Sequence, residues 1–255
     1  MGKIFKIFNV GLFIWQLIVF IFIISIVVFL FKIYRNFKKS NNVNDLSNYR
    51  KTYQKDKLEE TNLSDNPMEL FQKWFLEAKE RELGEANAMN LATIGLDGFP
   101  KSRIVLLKRF TWEGFIFYTN YNSEKGKAIA INANVSLSFF WQTQEQQVIV
   151  KGVAEKLAKN LSDGYFESRP IGSRVGAWAS NQSEIIDSRE TLDAKLKDYE
   201  QQFENKEIPR PEHWGGYLIK PQVIEFWQGR PNRMHDRIRF TLQKDYHWKM
   251  ERLQP

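Results

Sequence analysis

The sequence contains no cysteine and only three histidines, and these shortages exclude several common chemistries. Without cysteine the chain has no disulfide framework, no thiolate zinc site and no cysteine nucleophile. Because His213, His235 and His247 are too few for a histidine-rich centre, we expect no metal. The chain also lacks a glycine-rich phosphate loop, a nucleophile elbow and an HExxH helix.

Acidic residues are missing from the first forty positions, which hold six lysines and arginines. This segment supplies nearly all of the net charge of +7, because the remaining residues carry 31 basic against 30 acidic side chains. A nearly neutral body has local basic sites rather than a broad surface for polyanions. The composition therefore argues against nucleic-acid binding.

Residues 7–31 are almost wholly apolar, and no small-residue cleavage site follows them. A helix of about 25 residues spans the ~30 Å hydrocarbon core of a bilayer. The stretch is also long for a cleaved signal peptide, so it predicts one transmembrane anchor, with a disordered leader as the alternative. The longer basic flank follows the span, which favours a cytoplasmic catalytic domain.

The rest of the chain predicts a mainly β protein with helices. Asn66, Pro67 and Glu69 form a capping-box pattern at the start of a helix. Tight turns such as Asp97-Gly98 separate short strands of period two, which favours an antiparallel barrel. The predicted strands cover 90–94, 102–108, 115–119, 135–141, 147–154, 216–219, 223–227, 238–242 and 248–253. Helices are predicted at 123–132, 162–168, 172–180 and 187–205. We expect an anchor at 1–39, a linker and possible lid at 40–62, and one globular domain at 63–255.

Three basic stretches form candidate anion sites. In the strand 103–108, Arg103 and Lys108 flank an apolar run. If these cations are buried there, an anion is needed to compensate their charge. The alternative is that both side chains reach solvent at the strand ends. Residues 165–173 combine a phenol, a guanidinium and a hydroxyl, which suits a phosphate or caps a helix. Residues 230–237 place three arginines, a histidine and an aspartate at a turn between two strands, where guanidinium groups form a fork for anions or a solvated basic loop.

Together these stretches resemble the pyridoxine/pyridoxamine 5′-phosphate oxidase family over about residues 50–255. The motifs that carry the resemblance lie at 103–108, 117–120, 147–148, 165–170, 176–178, 182–183, 214–216, 225–229, 233–237 and 251–255. The resemblance implies an FMN-binding split β-barrel and a homodimer with FMN in clefts between the subunits. It also implies oxidation of pyridoxamine or pyridoxine 5′-phosphate by O2 to pyridoxal 5′-phosphate and hydrogen peroxide.

The resemblance further implies a role for individual residues. Arg103 and Lys125 would hold the FMN phosphate. The rest of the cofactor site would comprise Ile104, Val105, Leu106, Leu107, Lys108, Tyr118, Thr119, Gln147, Gln182, Ser183, Trp227 and Arg237. The substrate phosphate would meet Lys108, Tyr165, Arg169 and Ser173. Arg233 and His235 would close over the pyridine ring as catalytic residues, beneath a covering segment with Arg50 and Tyr53.

Two positions depart from the family pattern. Glu124 precedes Lys125 where the family usually has a second basic residue, and Gln146 stands where arginine is frequent. The membrane span is a further departure. Glu124 and the span motivate one alternative, a non-catalytic membrane-tethered protein that binds FMN or pyridoxal phosphate. A related split-barrel flavin reductase that acts on another substrate is a further alternative.

Overall fold

The computed structural model describes residues 2–41, 45–82 and 84–255. Residues 42–44, which belong to the predicted linker, and residue 83 lie outside the described residues. The contacts divide the chain into two compact units, Met1–Lys51 and Thr52–Pro255.

The first unit contains one long helix, α1 (Gly2–Asn41). Its segment Gly11–Arg35 is long and apolar enough to cross a membrane, and none of that segment's most apolar window is buried. At about 1.5 Å per residue, these 25 residues exceed the thickness of a hydrocarbon core. Length and composition are therefore those of a candidate membrane span.

A short 3-10 helix at Glu60–Asn62 precedes the first α-helix of the second unit, α2 (Pro67–Arg81), whose predicted start is confirmed. The Asn66 side chain accepts a hydrogen bond from the Met68 N–H at 3.0 Å. The predicted capping box is wrong in one detail, because the Asn66 N–H donates to Ser64 Oγ at 3.1 Å instead of to Glu69. Four further helices follow along the chain, α3 (Glu124–Ile131), α4 (Lys159–Glu167), α5 (Ile171–Ala179) and α6 (Arg189–Gln202).

Nine antiparallel strands form the body of this unit. They are β1 (Ala88–Ile94), β2 (Pro100–Leu106), β3 (Arg109–Thr111), β4 (Gly114–Asn120), β5 (Asn134–Trp141), β6 (Gln146–Lys156), β7 (Trp214–Gln228), β8 (Asp236–Leu242) and β9 (Trp248–Leu253). The order across the sheet is β2-β1-β5-β6-β7-β4-β3, with β8 and β9 added through β7. The prediction of a mainly β protein with helices and antiparallel strands is confirmed.

A crossover between Leu107 and Lys108 brings distant strands together. The Leu107 N–H donates to Asn87 O at 2.8 Å beside β1, whereas the Lys108 N–H donates to Ile116 O at 2.9 Å on β4. The chain thus passes within one residue from one end of the strand order to the other. As a result β2 and β4, which have four strands between them in the hydrogen-bonding order, line one pocket.

Two predicted strand boundaries change in the structure. The strands predicted at 216–219 and 223–227 form one continuous strand, β7. Pro221 has no N–H to donate, but it does not end the strand. The register against β6 shifts between Lys151 and Gly152, which accommodates the extra residue Gln222 as a bulge. The strand predicted at 102–108 ends at Leu106, and the unpredicted strand β3 follows it.

The core lies between α2 and the concave side of the sheet. Phe71 of α2 is fully buried and packs edge-on against Phe115 at 4.8 Å and Phe139 at 5.2 Å between ring centroids. The aromatic stripe of α2 is therefore structural, and it packs against strands β4 and β5.

Candidate active site

The largest described pocket, about 530 Å³, opens between β2, β4 and the helical section. It is lined by Arg103, Ile104, Val105, Leu106, Lys108, Tyr118, Thr119, Asn120, Lys125, Tyr165, Arg169, Gln182 and Trp214. The lining contains four cationic side chains and no acidic one. A pocket with this charge composition favours an anionic ligand.

Arg103 and Lys125 form one cationic end of the pocket. The Arg103 guanidinium donates to Thr93 Oγ1 at 2.8 Å, and the Lys125 ammonium lies 3.5 Å from Ser123 Oγ. Within residues 45–82 and 84–255 no carboxylate forms an ion pair with either cation. Burial, and then the nearby Arg103 charge, lower the pKa of Lys125, which is only 8% exposed. An anion bound here would relieve both effects.

Aromatic rings and Arg169 form the other end. The rings of Tyr118 and Tyr165 stack at 3.9 Å, and Trp214 lies parallel to Tyr118 at 5.5 Å. The Arg169 guanidinium lies over the Trp214 ring at 4.5 Å, and its buried Nη1 has no hydrogen-bond partner among the described residues. Burial also lowers the pKa of Arg169. This guanidinium therefore has an unused donor that an anion could accept.

The remaining predicted residues of this half lie in or beside the pocket. Gln182 is within hydrogen-bonding distance of Thr119, with 3.3 Å between Thr119 Oγ1 and Gln182 Oε1. Ser183, in the left-handed region with φ 76°, lines a neighbouring pocket with Arg103 and Lys125. Ser173 lines an adjoining pocket of about 290 Å³ that shares Arg169, Gln182 and Trp214 with the main one. Leu107 differs from its neighbours, because its side chain is buried in the core.

A second cluster gathers on the outward face of β6, β7 and β8. Gln147 pairs with Trp227, and Trp227 pairs with Arg237, so the three share one face of the sheet. The Tyr53 ring meets the edge of Trp227 at 5.6 Å, and the His235 ring lies 4.6 Å from Trp227. None of these five residues lines the main pocket described above.

The catalytic candidates Arg233 and His235 sit on the turn before β8. Arg233 adopts the left-handed region with φ 61°, and its side chain is exposed. His235 Nδ1 accepts the Arg230 N–H at 3.0 Å, which fixes that nitrogen as an acceptor. Burial, followed by the Arg233 charge, lowers the pKa of His235, while Asp236 opposes the change. A neutral imidazole is therefore favoured here.

Two predicted residues have other surroundings. Arg237 already pairs with Glu225, with 2.8 Å between Nη2 and Oε1, and donates to Gln254 O at 3.0 Å. Arg50 belongs to the first unit, where its Nε donates to Ser47 O at 3.0 Å.

Sequence reasoning missed two features of the site. Trp214 was noted only as part of a motif, although it supports Arg169 and Tyr118 in the pocket. Glu145 is the second, because it is only 2% exposed and its carboxylate accepts two backbone N–H groups from the segment after Tyr53. A φ of 59° at Glu145 reveals a constrained turn, but that conformation has no signature in the sequence.

Comparison with known families supports this geometry. Residues 75–203 match the family model described as pyridoxamine 5′-phosphate oxidase, and residues 214–255 match the pyridoxine 5′-phosphate oxidase C-terminal dimerisation region. The second match supports a homodimer.

Similar proteins include the pyridoxine/pyridoxamine 5′-phosphate oxidase of Flavobacterium johnsoniae. It is 62% identical over 212 residues, which cover 83% of this chain and 99% of the relative. The oxidase of the same name from a Nostoc species is 49% identical over 82% of this chain and 98% of its own length. Among solved structures, PhzG from Burkholderia lata in complex with tetrahydrophenazine-1-carboxylic acid superposes with a TM-score of 0.73. It is 28% identical and covers 78% of this chain and 98% of its own.

A related FMN-binding protein from Nostoc punctiforme has a TM-score of 0.60 at 15% identity and covers 76% of this chain and all of its own, which supports the split-barrel fold. The relatives' shared name is that of an oxidoreductase, and the family's cofactor is FMN. The chain therefore belongs to the pyridoxine/pyridoxamine 5′-phosphate oxidase family and is an oxidoreductase with FMN as its cofactor.

Proposed function

We propose that the chain oxidises pyridoxamine 5′-phosphate and pyridoxine 5′-phosphate with O2, producing pyridoxal 5′-phosphate and hydrogen peroxide; the amine substrate also consumes one water and releases ammonia. The observation that carries this proposal is the main pocket, which has four cations and no acid in its lining. Cofactor and substrate are both phosphomonoesters, each with nearly two negative charges at neutral pH. Two separate cationic ends in one pocket match two phosphates.

Arg103 and Lys125 are the residues that would hold the FMN phosphate. Their lack of carboxylate partners and their burial fit a dianion. Gln182, Ser183 and the backbone of 104–108 and 118–119 would surround the flavin with amide and hydroxyl groups. The polar lining of this end is consistent with such a ligand.

Lys108, Tyr165, Arg169 and Ser173 would hold the substrate phosphate. The unused Nη1 donor of Arg169 supports this assignment, as do the cation and phenol that Lys108 and Tyr165 add to the same lining. Trp214 stacks beneath the Arg169 guanidinium and restricts its orientation. An arginine held in this way loses less entropy when it binds a phosphate.

The second cluster would complete the site from the partner subunit. Trp227, Arg233, His235 and Arg237 all lie within the segment that matches the dimerisation region. These residues do not line the main pocket of their own protomer, so the partner's copy of the cluster would complete that pocket. Ile104, at the edge of the pocket, is 67% exposed and offers an apolar contact for that partner.

The chain's own residues would position the substrate and handle protons. Bound FMN would supply the acceptor for the substrate's two electrons, with O2 as the final oxidant. Arg233 would orient the substrate through its guanidinium. Neutral His235, held through Nδ1 by the Arg230 N–H, presents Nε2 for proton transfer. Tyr53 would exclude water from the pyridine ring.

We also propose that α1 tethers this activity to a membrane, with the second unit in the cytoplasm. The apolar segment Gly11–Arg35 and the basic residues after it support this arrangement. Membrane fractions washed with carbonate should retain the full chain. Release of the protein by carbonate alone would contradict the tether.

The activity is tested with the full chain in detergent micelles. We expect a bound-flavin spectrum that bleaches when pyridoxamine 5′-phosphate is added without oxygen, and that recovers in air with release of one peroxide per turnover. Bound flavin that does not respond to the substrate would instead favour a binding protein or another flavin reductase. Pyridoxamine without its phosphate is the matched control, because it lacks the group that Arg169 would bind.

A further inference from the structure

Glu124 lies beside the cationic end of the pocket, where a carboxylate is unfavourable for a bound phosphate. It is the first residue of α3 and directly precedes Lys125. A small pocket of about 310 Å³ is lined by Lys101, Ser102, Arg103, Glu124, Lys125 and Ser183. Glu124 is the one acidic residue in that lining. Its charge suits the amino end of a helix but opposes an incoming phosphate.

Lys101 binds this carboxylate directly. The distance between Lys101 Nζ and Glu124 Oε1 is 2.5 Å, and Asp97 Oδ2 lies 3.5 Å from the same ammonium. Lys101 and Arg103 are two residues apart on β2 and so point to the same side of the strand. The hydrogen bond from Lys101 lowers the pKa of Glu124, which is therefore ionised at neutral pH. The carboxylate is thus held by Lys101 and does not pair with Arg103 or Lys125.

We propose that Lys101 is a positioning residue for FMN binding, which holds the Glu124 carboxylate away from Arg103 and Lys125 and leaves both cations for the cofactor phosphate. The proposal rests on the proposed function in one respect, the assignment of the phosphate to Arg103 and Lys125. Apart from Lys101, the cations that share this pocket lining with Glu124 are Arg103 and Lys125. An intramolecular ion pair with them would compete with the phosphate and repel it.

The test is a double-mutant cycle read by FMN affinity. The full chain in detergent is stripped of flavin, and the Kd for FMN is measured from quenching of flavin fluorescence. K101M should weaken FMN binding by about tenfold, which corresponds to about 1.4 kcal/mol. E124Q alone should bind FMN at least as tightly as the unmodified chain. The K101M/E124Q variant should return to within about twofold of E124Q, because no carboxylate remains to be held.

Lys127 provides the matched control, since it is an exposed lysine on the same helix α3 and lines neither pocket. K127M removes the same charge and should leave the Kd unchanged. The loss in K101M should also shrink in high salt, as expected for an exposed charge effect. Thermal unfolding of each variant without flavin verifies that the fold is intact.

Two results would overturn the proposal. If K101M lowers FMN affinity equally in the unmodified chain and in the E124Q variant, Lys101 does not act through the carboxylate. No loss in K101M would mean that the ion pair is irrelevant to the cofactor. The phosphate assignment is tested separately with R103M. Unchanged FMN affinity in that variant would contradict the proposed phosphate site itself, whatever K101M shows.

Discussion

The buried carboxylate of Glu145 holds the backbone of Gln54, whose N–H donates to Glu145 Oε2 at 2.7 Å. The same oxygen accepts the Lys55 N–H at 3.1 Å, and the Glu145 carbonyl accepts the Gly229 N–H at 2.8 Å. One residue of the β5–β6 turn thus fastens both the segment after Tyr53 and the end of β7. Glu145 therefore holds the segment whose Tyr53 ring contacts Trp227, although Glu145 is not one of the cluster's residues.

Replacing Glu145 should loosen the Tyr53 segment. Hydrogen bonds to a charged group contribute about 1.5–3 kcal/mol each, so E145A should raise the KM for pyridoxamine 5′-phosphate by about tenfold. The FMN Kd should remain unchanged. E145Q keeps an acceptor oxygen and should have a smaller effect. Steady-state kinetics measure the KM, and an equal rise in the FMN Kd would contradict a role limited to the segment.

Arg233 should contribute to turnover and not to cofactor retention. We expect R233A to lower kcat by about a hundredfold, the size of loss that a misoriented substrate causes. The ratio of FMN to protein should stay near that of the unmodified chain, because Arg233 does not line the main pocket. R189A is the matched control, since Arg189 is an exposed arginine on α6 paired with Asp193. Proportional loss of FMN and kcat in R233A would refute this role.

The pKa of His235 should depend on the charge at position 233. Burial and the Arg233 charge lower the His235 pKa below 6.5. R233A should therefore raise this pKa towards the ordinary value, whereas R233K should leave it nearly unchanged. With three histidines in the chain, an NMR titration of the imidazole Cε1–H signals resolves each one. H235Q identifies the signal of interest by its disappearance.

The same shift gives a pH dependence with a defined sign. Below 6.5 the unfolded chain binds the His235 proton more readily than the folded protein does. The stability that neutral His235 contributes is therefore present above 6.5 and is lost as the pH falls through its lowered folded pKa. If the reaction requires this neutral tautomer, in which Nδ1 accepts the Arg230 N–H and Nε2 carries the proton, kcat/KM should fall in the same acidic window. A kcat/KM that stays flat from pH 7 to 5 would contradict this function of the imidazole.

Phe71 should be the most costly aromatic of α2 to remove. It is fully buried among rings from α2, β4 and β5, so F71A should destabilise the fold by about 3–5 kcal/mol. F99A changes an aromatic that is 70% exposed in the β1–β2 turn and should alter stability by at most about 0.5 kcal/mol. Thermal unfolding compares the two variants, and equal effects would contradict the proposed core.

Local patterns in the sequence were enough for most elements of the fold. Asn66 and Ser123 cap helices as predicted, because a short side-chain acceptor beside free N–H groups acts within one turn. The turn at Gly98, with φ 80°, was readable because glycine adopts that conformation without a steric cost. The family resemblance likewise depended on motifs in the chain itself, and it indicated the residues now found around the main pocket.

Only the tertiary structure decided which of these residues meet. The crossover at Leu107 and Lys108 brings β2 to β4. The sheet that joins their partner strands depends on pairings between residues far apart in sequence, such as Leu91 with Leu137 and Phe115 with Ile219. Continuity through Pro221 depends on a bulge that β6 accommodates at Gly152, which alternation along β7 could not reveal. The sequence by itself determined local conformation, because that depends on neighbouring residues, and it also determined which cationic side chains the protein has. Only the folded sheet brings Arg103 close to Lys125 and Trp227 close to His235. Strand patterns in the sequence allow many pairings, and tertiary packing selects one of them.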